Sequence, residues 1–332
     1  MDLMRKIIAE IGSVHDGSFG NACKLIESAA GCGANAVKFQ THIAEAETLA
    51  DAPMPSYFQG EPRLNYFRRT AFTKPQWLEL SGICKTNGVA FLSSPFSLEA
   101  VDVLEQVGID LYKIPSGEVS NLPLLERVSQ TGKPVLLSSG MSSWTELDQA
   151  MEALKSGGEV TVMQCTSAYP CPPERVGLNV IAQMAQRYGQ QVGFSDHTNG
   201  CAAAFAAAAL GATVIEKHFT FSRLMYGSDA ANAMEPDDFK EFSRGLNDIW
   251  AMISSPVDKE DIEPYGEMKR VFEKSIVTAL PLKAGSVITL EDMAFKKPGD
   301  GLSAARYREY VGRVIAHDLP ADHKFDEQDF QS

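Results

Sequence analysis

Three things are missing from this sequence, and each absence removes a class of protein. No apolar run is long enough to cross a bilayer: the most apolar stretch, residues 201–215, is alanine-rich and reads as a buried helix and strand. No basic run exceeds Lys296-Lys297, and the net charge is -13, which excludes a footprint for nucleic acid. The six cysteines (Cys23, Cys32, Cys84, Cys165, Cys171, Cys201) form no C-x-x-C pair, so reduced thiols are expected. MDLMRKIIAEIG passes into a strand with no signal-peptide apolar region, and the expectation is a cytoplasmic protein without membrane or nucleic-acid partners. The acidic balance also means that an anionic substrate must be held by a local cluster of donors.

What is present is ordinary in bulk, at 44% hydrophobic and 22% charged residues. A chain of 332 residues exceeds what one core serves, so a large domain with a small one is expected. Strand-like runs at residues 6–11, 36–40, 90–92, 111–114, 135–138, 160–164, 192–194 and 214–216 alternate with helical patterns at 20–32, 74–87, 98–106, 122–131, 144–155 and 179–188. Eight strands, each followed by a helix, predict a (β/α)8 barrel over residues 1–255. A doubly wound open sheet is the alternative, disfavoured because polar residues follow nearly every strand.

The loop at 45–70 is long for a barrel and reads as a lid or substrate wall, with Tyr57, Phe58, Tyr66 and Phe67 as anchors. Residues 256–273 read as a polar linker, and 274–332, with β-like pieces at 275–280 and 287–288, as a second domain.

The polar residues at the strand ends carry the chemistry. His197 in SDHT and His218 in EKHFT stand at equivalent places on successive βα units, where they could bind a divalent metal or serve as hydrogen-bonded structural residues. Lys38 and Lys113 are costly to bury without a negative charge. With Ser94, Ser116, Ser138 and Ser195 they could cradle a phosphate or carboxylate. Alternatively each pairs with a structural glutamate such as Glu10 or Glu216. Glu118 and Asp16 could orient a hydroxyl or move a proton, with a helix N-cap as the other reading.

In this order and spacing, EIGSVHDGS, KFQTH, SSPF, YKIPSGE, PVLLSSGM, QCTSAYP, GFSDHT and EKHFT resemble the sialic acid synthase family. That family condenses phosphoenolpyruvate with N-acetylmannosamine or a related aldose. The tail, with KKPGDGLS, resembles the family's antifreeze-like SAF domain, a β-clip. The resemblance covers nearly the whole chain. It implies an α/β fold, a (β/α)8 TIM barrel followed by the SAF domain, assembled as a domain-swapped homodimer in which each tail caps the partner's barrel.

The resemblance further implies His197 and His218 as ligands of a divalent metal, manganese first, with magnesium or cobalt as alternatives. Manganese favours oxygen, so substrate and water would supply the remaining ligands. Lys38, Lys113, Ser94, Ser116, Ser138 and Ser195 match the phosphoenolpyruvate cradle, Glu118 matches a carboxylate that contacts the sugar, and Gln40, Tyr169 and Asp229 match other pocket positions. In the implied reaction the metal polarises the open-chain aldehyde, C3 of phosphoenolpyruvate attacks it, water adds at C2 and phosphate leaves by C–O cleavage.

The sequence departs from the family where the sugar is chosen. Asp16 stands where members carry glutamate, asparagine or aspartate, Ser167 where some carry asparagine, Gln164 where histidine is common, and Lys297 where an arginine often reaches the N-acetyl group. GSDAANAMEP also differs from the usual run near Asp229. The implied product is N-acetylneuraminate, or else legionaminate or pseudaminate from a diacetamido-hexose. A non-catalytic sugar- or phosphate-binding protein is the rival from another class, disfavoured by retention of both histidines, both lysines and Glu118.

Overall fold

Eight strands close into one parallel barrel: β1 (Lys6–Gly12), β2 (Ala36–Thr41), β3 (Ala90–Pro95), β4 (Leu111–Ile114), β5 (Val135–Ser138), β6 (Val160–Cys165), β7 (Val192–Asp196) and β8 (Val214–His218). The seam is β1 on β8, in register from Lys6 opposite Val214 to Glu10 opposite His218. This computed structural model describes residues 5–53 and 60–331. Its contacts divide the chain into two units, Met1–Ser255 and Pro256–Ser332.

The helices of the first unit are α1 (Phe19–Gly31), α2 (Ala44–Glu47), α3 (Arg63–Thr70), α4 (Lys74–Thr86), α5 (Leu98–Val107), α6 (Leu122–Ser129), α7 (Trp144–Leu154), α8 (Asn179–Tyr188), α9 (Ala202–Ala209) and α10 (Pro236–Ser254). Their starts are written in the sequence. Ser18 caps α1, Ser97 caps α5 and Asn121 caps α6, each accepting from a first-turn N–H, and Ser143 with Glu146 forms a capping box on α7. The apolar stripes these helices bury meet the outward-facing strand residues, among them Ile7, Val37, Phe91 and Phe194, in one continuous core.

Inward-facing residues stack in layers, because side chains two apart on a strand share a face. Ile8, Ala36, Leu92, Leu111, Leu136, Met163 and Val214 form an apolar floor. Two residues further along the same strands come Glu10, Lys38, Ser94, Lys113, Ser138, Cys165 and Glu216, all buried. The barrel therefore changes from apolar to charged over one pleat. The strands also run further than their apolar runs predict: β3 extends to Pro95, β7 to Asp196 and β8 to His218. The polar residues expected at loop mouths are held in the hydrogen-bonded ladder, which fixes them more firmly than a loop would.

The stretch at 45–70 is not structureless. It contains α2 and α3, while Tyr57 and Phe58 lie outside the described residues. The second unit opens with a helix, α11 (Gly266–Phe272), inside the stretch expected to be a linker. It then forms an antiparallel pair, β9 (Ser275–Thr278) with β10 (Met293–Lys296), over its own small core of Ile276, Ile288, Tyr310, Ile315, Phe325 and Phe330.

His15, in the middle of the turn after β1, gives the first unit a pH-dependent stability. Its ring is 2% exposed and lies 4.5 Å from the Phe72 ring, and its Nδ1 accepts the Gly17 N–H at 3.1 Å. Burial pushes its pKa down to about 4. An unfolded histidine titrates near ~6.5, so between there and about 4 the unfolded chain binds more protons, and stability falls as pH falls through that window. Urea unfolding of the wild type is expected to lose about 2 kcal/mol from this group between pH 7.5 and 5, and His15→Gln to lose correspondingly less. Parallel losses in the two proteins would overturn the assignment.

Candidate active site

The C-terminal ends of the strands enclose a cavity of about 350 Å³. Of the residues singled out from the sequence, Lys38, Gln40, Lys113, Ser116, Ser138, Tyr169, Ser195, His197, His218 and Asp229 line it. Four others do not. Ser94 points inward in the charged layer but is sealed from the cavity, at 0% exposure. The Glu118 carboxylate accepts from Asn121 Nδ2 at 2.8 Å, the residue that also caps α6, and burial pushes its pKa up. Asp16 has a left-handed φ of +52° that turns its carboxylate onto Arg69, 2.6 Å away, so it does not line the cavity that the resemblance had it face. Lys297 belongs to the second unit, where its ammonium lies over the Phe272 ring at 5.0 Å.

At the bottom of the cavity both lysines meet the glutamates that stood as their alternative partners. Lys38 Nζ is 3.0 Å from Glu10 and 3.6 Å from Glu216, and Lys113 Nζ donates to Glu216 Oε1 at 3.3 Å. Burial alone would raise the Glu216 carboxyl, but Lys113 and Lys38 outweigh it and hold the pKa at about 2. Burial pushes Glu10 up, with Lys38 opposing, and pushes Lys113 down, with Glu216 opposing. The pairing does not exhaust the lysines. Each ammonium has three donors, and both face a cavity lined by hydroxyls. Ser138 Oγ is buried without a hydrogen-bond partner among the described residues, and Ser195 Oγ donates to Glu216 at 3.1 Å.

Gly140 completes this pole. Its N–H donates to Ser116 Oγ at 3.1 Å, and a Cβ there would lie 2.5 Å from Ser167 Oγ and 2.6 Å from Ser116 Oγ. Only glycine lets the backbone come this close. Gly12 does the same across the cavity, where a Cβ would lie 2.5 Å from the Asp229 carboxylate.

Above the lysines the two histidine rings lie 5.6 Å apart, with Tyr169 4.2 Å from His197. His197 Nδ1 is 2.9 Å from the Thr166 carbonyl, which leaves its Nε2 for a ligand. His218 Nδ1 is buried without a hydrogen-bond partner among the described residues, and burial pushes the ring's pKa down to about 4, so it is neutral at physiological pH. Burial also opposes protonation of His197, but the Cys165 sulfur 3.8 Å from Nδ1 outweighs it and raises the pKa. The two imidazoles, with the Asp229 carboxylate nearby, suit a divalent cation that displaces any proton from His197 and takes its other ligands from substrate oxygens. Among the described residues no group of three or more His, Cys, Asp or Glu side chains is spaced to hold a metal unaided.

The remaining wall includes the stretch read from the sequence as a substrate wall: Arg63, Tyr66 and Phe67 line the cavity. His42 is stacked between Phe67 and Phe96, at 3.8 and 4.2 Å, and its two ring nitrogens meet Glu47 and Gln40. Arg63 lies over Phe67, with its Nε buried and unpartnered among the described residues. Phe67 and Tyr66 were legible as anchors, whereas nothing local in the sequence marks Arg63 as a cavity residue.

A NeuB family model matches residues 25–258, and a SAF domain model matches residues 273–325. The chain is similar to the N,N'-diacetyllegionaminic acid synthase of Campylobacter jejuni, with 34% identity over 95% of this chain and 97% of that one. It is 31% identical to the mouse N-acetylneuraminate-9-phosphate synthase, over 87% and 82% of the two chains. Among solved structures, the N-acetylneuraminic acid synthetase of Leptospira borgpetersenii superposes with a TM-score of 0.70 at 28% identity, covering 80% of this chain and 93% of that one.

Proposed function

The chain belongs to the NeuB family of enzymes that form sialic-acid-type sugars, and from that premise we propose that it condenses phosphoenolpyruvate with an acetamido-aldose, releasing phosphate. The observation that carries the reading is one cavity with a buried lysine pair and hydroxyls at its floor and two buried histidines above them. Lys38, Lys113, Ser116 and Ser138 would hold the phosphate and carboxylate of phosphoenolpyruvate by charge-assisted hydrogen bonds. His197 and His218 would hold a divalent cation, manganese, magnesium or cobalt, which when bound supplies Lewis-acid polarisation of the acceptor's aldehyde. Tyr169, Asp229 and Gln40 would orient the open-chain sugar, and the stacked His42, Phe67 and Phe96 wall would exclude water from its far side.

N-acetylmannosamine, giving N-acetylneuraminate, is the acceptor that the sequence resemblance implies. The likeness to the C. jejuni enzyme favours a diacetamido-hexose instead, giving a legionaminate. Phosphate release from phosphoenolpyruvate, measured with each sugar and with and without chelator, separates these readings. Chelator-sensitive release with one sugar identifies the acceptor, and no release with any of them would return the chain to the class of binding proteins.

The protein is further proposed to act in the cytoplasm as a domain-swapped homodimer in which Lys297 reaches the partner's acceptor. Supporting this, α11 and the turn before it expose Ile262, Tyr265, Met268 and Phe272 at helical spacing, each at least 50% accessible. Light scattering reads the assembly directly, and a fully active monomer would overturn it.

A further inference from the structure

Asp196 and Lys217 line neither the cavity nor the apolar core, yet their side chains are 0% and 1% exposed. They are register partners on β7 and β8, one residue out of phase with Ser195, His197, Glu216 and His218, which face the cavity. Lys217 Nζ lies 2.8 Å from Asp196 Oδ2 and donates to the Thr198 carbonyl at 2.6 Å. The other carboxylate oxygen of Asp196 accepts the Thr198 N–H at 2.8 Å. The peptide groups on both sides of Thr198 are thereby tied, one directly and one through Asp196, to the residue that immediately precedes His218.

A sealed ion pair is a poor choice for stability alone, since apolar residues of similar volume usually serve as well. What the pair adds is direction. The ammonium reaches the carboxylate and the carbonyl together only when β7 and β8 hold one separation, and that separation sets the distance between the histidines. We propose that Asp196 and Lys217 are positioning residues that fix His197 and His218 for a shared divalent cation. This rests on the metal reading given under Proposed function. The pair touches no reacting atom and acts through the backbone it holds, in the way that groups behind metal ligands orient them.

The test uses the full-length protein and Mn2+ alone as the probe, followed by electron paramagnetic resonance. The double variant Asp196→Asn/Lys217→Met removes both charges while keeping shape and the acceptor for the Thr198 N–H. It is expected to melt near the wild type and to bind Mn2+ about 10- to 100-fold more weakly. Turnover should be partly restored at high Mn2+, and the KM for phosphoenolpyruvate should be unchanged, because Lys38 and Lys113 lie on other strands. Should that variant fail to fold, Lys217→Arg keeps the charge but changes the donor geometry, and it is expected to weaken Mn2+ binding to an intermediate degree. A folded variant with wild-type Mn2+ affinity would overturn the positioning role while leaving the metal reading intact. A wild type that binds no Mn2+ would overturn the metal reading and this inference with it.

Discussion

Replacing His218 by alanine is expected to abolish Mn2+ binding and to lower phosphate release by about a thousandfold or more, with the fold retained. The ring is 8% exposed, so its loss leaves space that opens onto the existing cavity and not a sealed void in the core. What disappears is a neutral nitrogen held where protonation is suppressed. Desolvation, with a smaller contribution from the neighbouring His197, keeps the ring uncharged down to about pH 4, and an uncharged ring is what a cation requires. The magnitude follows from Lewis-acid stabilisation of several kcal/mol, each ~1.4 kcal/mol being a factor of ten. Chelation of the wild type should reproduce the defect reversibly. A His218→Ala protein that turns over at a comparable rate, or a wild type indifferent to chelator, would show that the histidines are structural.

The barrel was legible because its strands are nearly uninterrupted apolar runs at a regular beat, and such runs bury on both faces only in a parallel sheet covered by helices. The strand ends were harder to read. Ser93 to Pro95, Ser195-Asp196 and Lys217-His218 look like loop by composition, but they continue the ladder with alternate residues turned into the barrel. Counting two residues on from the floor positions Ile8, Ala36, Leu111 and Val214 leads to Glu10, Lys38, Lys113 and Glu216, so the charged layer was available from strand periodicity alone.

Other features had no local signal. The partner of Asp16 is Arg69, 53 positions along the chain, and the left-handed turn that brings them together depends on packing and not on residue type. Within 256–273 the polar composition hid α11, whose Met268 and Phe272, with Tyr265 just before its start, share the spacing of a helix face.

The lysine pair is where two readings of the sequence meet, and one substitution series separates them. Lys113→Met is expected to reduce kcat/KM for phosphoenolpyruvate by roughly a hundred- to a thousandfold, as losing one preorganised donor does. Taken alone that result is ambiguous. Removing one member of a buried pair costs roughly 3–5 kcal/mol of stability, and Glu216 would be left with Lys38 at 3.6 Å and Ser195 at 3.1 Å. Adding Glu216→Gln removes the uncompensated charge, so Lys113→Met/Glu216→Gln should recover most of the urea midpoint. If Lys113 only neutralises Glu216, activity must return with stability. If Lys113 holds the anionic substrate, the double variant is stable and still inactive, and inorganic phosphate, expected to raise the melting temperature of the wild type, leaves that of the double variant unchanged. The second result is expected, because the ammonium has more donors than its carboxylate uses and faces the hydroxyl-lined floor of the cavity.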